Sequence, residues 1–271
     1  MLRDEVKEAM LASGIVGLVL LAEEGVNGTI GGSTDAIEEF KRKMEAWTGG
    51  PVRFKDSFAE QQPFKRTIVD IRKEIVTLKR PDFVPPSEEN SHLSPQEWHE
   101  MLASEEEKLV IDTRNNYETR IGKFKGAIDP GLKNFSEWGD YLKQSGFPKD
   151  KPVMIYCTGG IRCEKAILEM QDQGFEKVYQ LRDGILGYLA EYPDGLYEGE
   201  CFVFDRRVAV DQHLEPTQKY GICPCCGFTA DIKAVCEECS SEYFICEECQ
   251  SKWPPVCSKE CNSYFRPKQI R

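Results

Sequence analysis

The sequence predicts an α/β protein in three parts: a central domain on a parallel sheet, a small α+β domain ahead of it and a cysteine-rich tail behind it. Three observations carry the prediction. From residue 94 to residue 200, short apolar runs alternate with segments of helical period, the order that produces parallel strands covered by helices. The stretch RPDFVPPSEENSHL ahead of that region is rich in proline and polar residues and has no apolar period, as a linker would be. Nine of the twelve cysteines lie between Cys223 and Cys261. The expected boundaries are 1–80 for the small domain, 81–93 for the linker, 94–200 for the central domain and 201–271 for the extension that carries the cysteines.

Taken in order, LRDEVKEAMLASG predicts a helix closed by Gly14, and GLVLLA a strand. EEGVNGTI contains Asn27-Gly28, a strong hairpin-turn signal. Thr34 is placed to cap a helix over DAIEEFKRKMEAW, in which Ile37, Phe40, Met44 and Trp47 recur on one face. VRFKDS and KRTIVDIRKEIVTLK then read as strands. The pattern αββαβ plus a further strand resembles a ferredoxin-like or acylphosphatase-like domain, an antiparallel sheet with helices on one face.

Ser94-Pro95 opens the central domain with a helix that has proline at its first position. There follow KLVIDTR (strand), FSEWGDYLKQSG (helix), KPVMIYC (strand), CEKAILEMQDQG (helix), KVYQLRDG (strand) and GILGYLAEY (helix). Ligands of such sheets bind beyond the carboxyl ends of the strands, which is where Cys157 falls.

Cys157 begins the loop CTGGIRCEKA. A thiol between a strand tip and a helix start faces a ring of backbone N–H groups and the positive helix end, which lowers its pKa. Gly159 and Gly160 allow a tight turn and Arg162 adds a fixed charge; Thr158, Gly159, Gly160, Ile161 and Arg162 thus form a candidate anion and substrate pocket around a nucleophile. A merely structural cysteine at a βα turn would need neither the paired glycines nor the arginine. Cysteine and arginine are first and last of six residues, one fewer than tyrosine phosphatases require, and Tyr156 stands where those enzymes usually have histidine. Cys163 is expected either to pack or to act as a resolving thiol.

The six-residue loop resembles that of rhodaneses, and VIDTRNNYETRIGKFKGAI resembles the first-half signature of that family, with Asp112 structural and Arg114 at the pocket edge. Four segments together, LAEEGVNGTI, IGKFKGAI, CTGGIRCEKA and GECFVFDRRVAV, resemble the tRNA uridine(34) hydroxylase family over residues 15 to about 230. That resemblance implies oxygen-dependent formation of 5-hydroxyuridine at the wobble position, molecular oxygen as co-substrate, the tRNA anticodon loop as partner and Cys157 as the essential residue. Members of the family carry a strand before the first helix, whereas this sequence begins inside that helix, so the small domain is expected to lack a strand or to start upstream.

In the tail, Cys223/Cys226, Cys236/Cys239, Cys246/Cys249 and Cys257/Cys261 form four pairs, with Cys225 spare. Pairs so spaced offer two thiolates each, and eight ligands suit two structural zinc ions. Free thiols or disulfides are the alternative. Spacing does not say which pairs share an ion.

The charged N-terminus and the lack of a long apolar stretch predict neither signal peptide nor membrane span, hence a cytoplasmic protein in which cysteines serve metals or thiol chemistry. The net charge of -11 argues against a general nucleic-acid coat. Locally, residues 51–80 carry eight basic residues against four acids, among them Arg53, Lys55 and the candidate RNA-binding residues Lys65, Arg66, Arg72 and Lys73. Phe54, Phe58 and Phe64 are interleaved with them, and Arg266, Lys268 and Arg271 form a basic end. An ordinary solvated strand face is the plain alternative.

The leading expectation is a wobble-uridine hydroxylase. A sulfurtransferase carrying a persulfide on Cys157 comes second and a non-catalytic, zinc-stapled RNA-binding or adaptor module third. No flavin, haem or mononuclear-iron pattern, other organic cofactor or protein partner is expected.

Overall fold

The computed structural model describes residues 2–59, 61–86 and 91–265. The chain opens with α1 (Leu2–Ala12), β1 (Val16–Ala22), β2 (Gly25–Gly31), α2 (Thr34–Thr48) and β3 (Thr67–Ile71). The sheet order is β2-β1-β3, with β1 antiparallel to β2 and parallel to β3. Val6 and Met10 of α1 and Phe40 and Met44 of α2 bury the apolar faces of both helices against Val19 and Val69, and Ile37 and Trp47 pack at the edge of the same core.

Several local expectations change here. The hairpin turn is Glu23-Glu24, and Asn27-Gly28 lies inside β2. Gly28 is there because of a close approach: a Cβ would stand 2.2 Å from the Leu18 carbonyl oxygen across the ladder. Ser33, not Thr34, caps α2. The sheet is mixed rather than antiparallel, and within residues 65–79 only Thr67–Ile71 forms a strand. VRFKDS is irregular. Its alternation has a different cause from strand pairing: Val52 and Phe54 pack on the small core, while Arg53 and Lys55 reach Asp183 in the central domain.

The central sheet has four parallel strands, β4 (His92–Leu93), β5 (Leu109–Asp112), β7 (Val153–Tyr156) and β8 (Val178–Leu181), in the order β4-β8-β7-β5. The last two residues expected in the linker therefore pair as β4. α3 (Pro95–Ala103) starts with a capping box between Ser94 and Glu97. It covers one face together with α7 (Gly184–Glu191), through Trp98, Ile185 and Tyr188. α5 (Trp138–Ser145), preceded by a 3-10 turn, and α6 (Ile161–Asp172) cover the other face through Trp138, Leu142, Ala166 and Ile167. Between β5 and α5 lie α4 (Asn116–Thr119) and β6 (Gly122–Phe124), the latter paired with β9 (Tyr197–Gly199).

The small and central domains meet across a buried ion cluster. Lys165 of α6, 1% exposed, lies 3.0 Å from Glu24 and 2.6 Å from Glu74. Glu74 also accepts N–H groups from Leu78, Lys79 and Arg80. Burial alone would raise the Glu74 carboxyl; Lys165 and those N–H groups hold it below its usual value. Arg80 adds contacts to Glu169 and Asp172 at the far end of α6. The helix that follows Cys157 is thus fixed to the small domain along its length.

The tail contains two hairpins, β12 (Gly221–Ile222) with β13 (Thr229–Ala230) and β14 (Ile232–Val235) with β15 (Glu242–Ile245). β10 (Cys201–Phe202) and β11 (Ala209–Val210) form the step that joins it to the central domain. Among the described residues no helix is long and apolar enough to cross a membrane.

Candidate active site

Cys157 follows β7, and its loop is held from outside by its carbonyls. The Ile185 N–H donates to the Cys157 oxygen at 2.9 Å and the Leu186 N–H to the Thr158 oxygen at 3.1 Å, so the first turn of α7 takes up both acceptors. Gly184 makes this possible, with φ 63° and a position where a Cβ would lie 2.5 Å from the Cys157 oxygen. With its carbonyls turned outward, the loop turns N–H groups inward. Gly160 donates to the Cys157 sulfur at 3.0 Å.

Burial would push the Cys157 thiol up. The Cys163 S–H, the Arg162 guanidinium and the backbone N–H groups of Arg162 and Cys163 outweigh burial and bring it down to about 5 from the ordinary 9.0. The Cys163 thiol moves the opposite way, raised by burial and by its neighbour, so the pair shares one proton on Cys163. The Thr113 hydroxyl lies 3.7 Å from that second sulfur and donates its proton to the Tyr156 carbonyl oxygen at 2.9 Å. Cys157 is thus a fixed thiolate, fully buried at the floor of the loop, with Gly159, Gly160 and Ile161 partly open above it.

The arginines sit differently from the sequence expectation. Arg162 makes two short hydrogen bonds to the Glu118 carboxylate, 2.6 and 2.7 Å, and Thr158 donates to the same group at 3.2 Å. Its charge acts on the sulfur through space while its fork is occupied. Burial alone would raise the Glu118 carboxyl, but Arg162 keeps it below the usual carboxylate range. Arg114 is not at the pocket edge. It is fully buried, bound to both oxygens of Asp112, to the Gly122 carbonyl at 2.6 Å and to the Tyr197 hydroxyl at 3.5 Å. With Asp112 neutralising it, Arg114 is a core element that ties β5 to β6, which an arginine two residues past a strand's aspartate does not reveal by itself.

Two groups near the loop were missing from the expected site. Lys55, from the irregular segment after α2, donates to the Gly159 carbonyl and lies 3.2 Å from Asp183. Arg53 lies 3.5 Å from the same carboxylate. Asp183 has a left-handed backbone (φ 62°) just before α7. The local basic excess held the signal, but only the tertiary fold singles these two out. Lys65, Arg66, Arg72 and Lys73, the expected RNA-binding residues, are all exposed; Lys65 and Arg66 enter β3, while Arg72 and Lys73 leave it, roughly 20 Å away at strand rise. They make two patches rather than one, and Arg72 is paired with Asp70 at 2.8 Å. Arg266, Lys268 and Arg271 lie outside the described residues.

In the tail the sulfurs of Cys223, Cys226, Cys246 and Cys249 lie within 4.8 Å of one another, and so do those of Cys236, Cys239, Cys257 and Cys261. Each group could hold a metal ion. The pairs interleave, first with third and second with fourth. Sulfur separations of 3.7 Å (Cys226–Cys246), 3.5 Å (Cys239–Cys257) and 3.8 Å (Cys257–Cys261) fit the edge of a tetrahedron with metal–sulfur bonds of about 2.3 Å, which is roughly 3.8 Å. Cys225 belongs to neither group.

Three known families match successive parts of the chain. Residues 1–75 match the family described as a UPF0176 acylphosphatase like domain, residues 94–191 the Rhodanese-like domain and residues 198–262 the Rhodanase C-terminal family. A curated relative from Bdellovibrio bacteriovorus named "tRNA uridine(34) hydroxylase" is 46% identical over 91% of this chain and 72% of its own. Relatives of the same name from Legionella pneumophila (42% identical, 79% of this chain and 85% of its own) and from a Picosynechococcus species (44% identical, 80% and 74%) also match.

Proposed function

Since the chain belongs to the tRNA uridine(34) hydroxylase family, we propose that it hydroxylates uridine 34 in the anticodon loop of tRNA to 5-hydroxyuridine, with molecular oxygen as co-substrate and Cys157 as the reactive group. Identity of 46% across 91% of the chain carries the activity. The choice of residue is supported by the low pKa of Cys157, about 5, which makes it a thiolate at neutral pH. The loop residues Thr158 to Arg162 keep that sulfur charged and oriented, and Cys163 supplies a proton next to it.

Exposed Lys65 and Arg66 on one side and Arg72 and Lys73 on the other are proposed to meet tRNA phosphates. The two cysteine groups are proposed to hold zinc, because four thiolates at tetrahedral spacing suit a borderline-soft ion and leave no open position for substrate. Zinc there would staple the tail. tRNA as substrate, and twelve cysteines without a disulfide, fit work in the reducing cytoplasm.

N–H groups aimed at one sulfur would also cradle a persulfide, so sulfur transfer is the second reading. Thiosulfate and cyanide distinguish the two: hydroxylation predicts slow thiocyanate release, whereas fast release without 5-hydroxyuridine formation would favour sulfur transfer. Nucleoside mass spectrometry of tRNA from cells lacking the protein tests the proposal itself. Loss of 5-hydroxyuridine and its derivatives is expected, and an unchanged nucleoside profile would refute it.

A further inference from the structure

Beside the Cys157 loop the surface is aromatic where a solvated rim would be polar. Phe204 is 52% exposed and Phe228 55% exposed. They are joined through partners that are themselves anchored. Phe202, buried, meets Phe204 edge-on with ring centroids 5.1 Å apart, and Tyr117 meets Phe202 at 5.3 Å. Phe228, from the turn between β12 and β13, lies on Tyr117 at 5.5 Å with the planes 24° apart. Single exposed apolar residues are ordinary. A fixed row that includes two exposed phenylalanines calls for an occupant.

The row adjoins the loop through two contacts. The Arg162 guanidinium lies 5.8 Å from the centre of the Phe204 ring, and Tyr117 precedes Glu118, the carboxylate that holds Arg162. Cations are near as well. Arg206, two residues after Phe204, is exposed, and its backbone N–H and guanidinium donate to Pro63 and Gln62 of the segment that carries Lys55. Flat aromatic faces among cations are the chemistry of single-stranded nucleic acid, whose bases stack on rings while phosphates meet charge.

We propose that Phe204, backed by Phe202 and extended by Tyr117 and Phe228, stacks a nucleobase flanking the target uridine in the tRNA loop. This rests on the hydroxylase reading. Bringing a uracil ring to a buried sulfur requires the loop's bases to leave their own stack, and a ring at the rim replaces the stacking that a neighbour loses. Phe204 is thus a positioning residue.

The test uses the full metal-loaded chain with an unmodified tRNA transcript carrying uridine at position 34. Phe204→Leu keeps apolar bulk without a π-face and is expected to weaken tRNA binding and raise KM by about 5- to 150-fold, with kcat much less affected. Phe204→Trp is expected to retain most of the binding. The pH midpoint of Cys157 alkylation and the melting temperature should stay as in the wild type in both, which separates stacking from damage to the loop through Arg162. Wild-type-like binding and KM in the leucine variant would overturn the platform alone, as would equal losses in the leucine and tryptophan variants. A wild-type chain that neither binds nor hydroxylates the transcript would overturn the hydroxylase reading, and the platform with it.

Discussion

Arg162 and Glu118 form a buried two-point ion pair, 2.6 and 2.7 Å, directly behind the Cys157 loop. The arginine lowers the thiol's pKa and the carboxylate limits how far its charge reaches. Glu118→Gln is expected to shift the midpoint of Cys157 alkylation to lower pH, and Arg162→Met to raise it. Each breaks a buried pair and should cost about 3–5 kcal/mol of stability, measured by denaturant unfolding. Opposite shifts of the midpoint in the two variants are the distinguishing result.

The thiolate also links stability to pH. Cys157 has a pKa of about 5 when folded and near 9.0 in an ordinary setting, so the unfolded chain binds more protons between those values. Its contribution is therefore fully present above about pH 9, and it is lost as pH falls through 5. Between these limits the stability of the wild type relative to Cys157→Ser should increase with pH, with a slope of about 1.4 kcal/mol per unit. Parallel unfolding curves at pH 5.5, 7 and 8.5 provide the check, and a constant difference would contradict the low pKa.

Two separate groups of four cysteines predict that each ion is lost on its own. Elemental analysis under reducing conditions should find close to two zinc ions per chain. Cys223→Ser or Cys257→Ser should leave about one, whereas Cys225→Ser should keep both. Chelation should render residues 220–262 sensitive to protease, because one ion would join the two hairpins and the other would tie the second hairpin to the segment that follows it.

For the basic residues, the two patches should behave separately. Replacing Lys65 and Arg66 by glutamine, or Arg72 and Lys73, should each lower the log-log salt slope of tRNA binding by up to about 1.4 to 1.8, at roughly 0.7 to 0.9 for each phosphate no longer neutralised. Turnover at saturating tRNA should remain near normal. Lys55→Gln differs, because it releases the Gly159 carbonyl and Asp183 at the loop itself, and should lower kcat as well. Salt titrations beside single-turnover rates separate these outcomes.

The central domain was legible because its alternation reports burial on both faces of a parallel sheet; KPVMIYC and CEKAILEMQDQG fall where the strand and helix are. The tail cysteines were legible as pairs but not as the two groups of four that they form, since interleaving is a property of the folded hairpins. VRFKDS misled because the alternation served two domains rather than two faces of one sheet. Asn27-Gly28 misled because a glycine can answer a close backbone approach as well as a turn. Arg114 and Arg162 were both visible as charges near a strand end, yet what decides their roles is the carboxylate each finds, Asp112 two residues away and Glu118 forty-four residues away. A long-range pair such as Arg162–Glu118 leaves no local signature.

The most direct measurement is nucleoside mass spectrometry of tRNA from a deletion strain complemented with the wild type or with Cys157→Ser, at matched protein levels and with both proteins shown to be folded by a cooperative unfolding transition. Wild-type protein should restore 5-hydroxyuridine at position 34 and the serine variant should leave it at the background of the deletion. Full restoration by the serine variant would contradict the assignment of Cys157 as the reactive group.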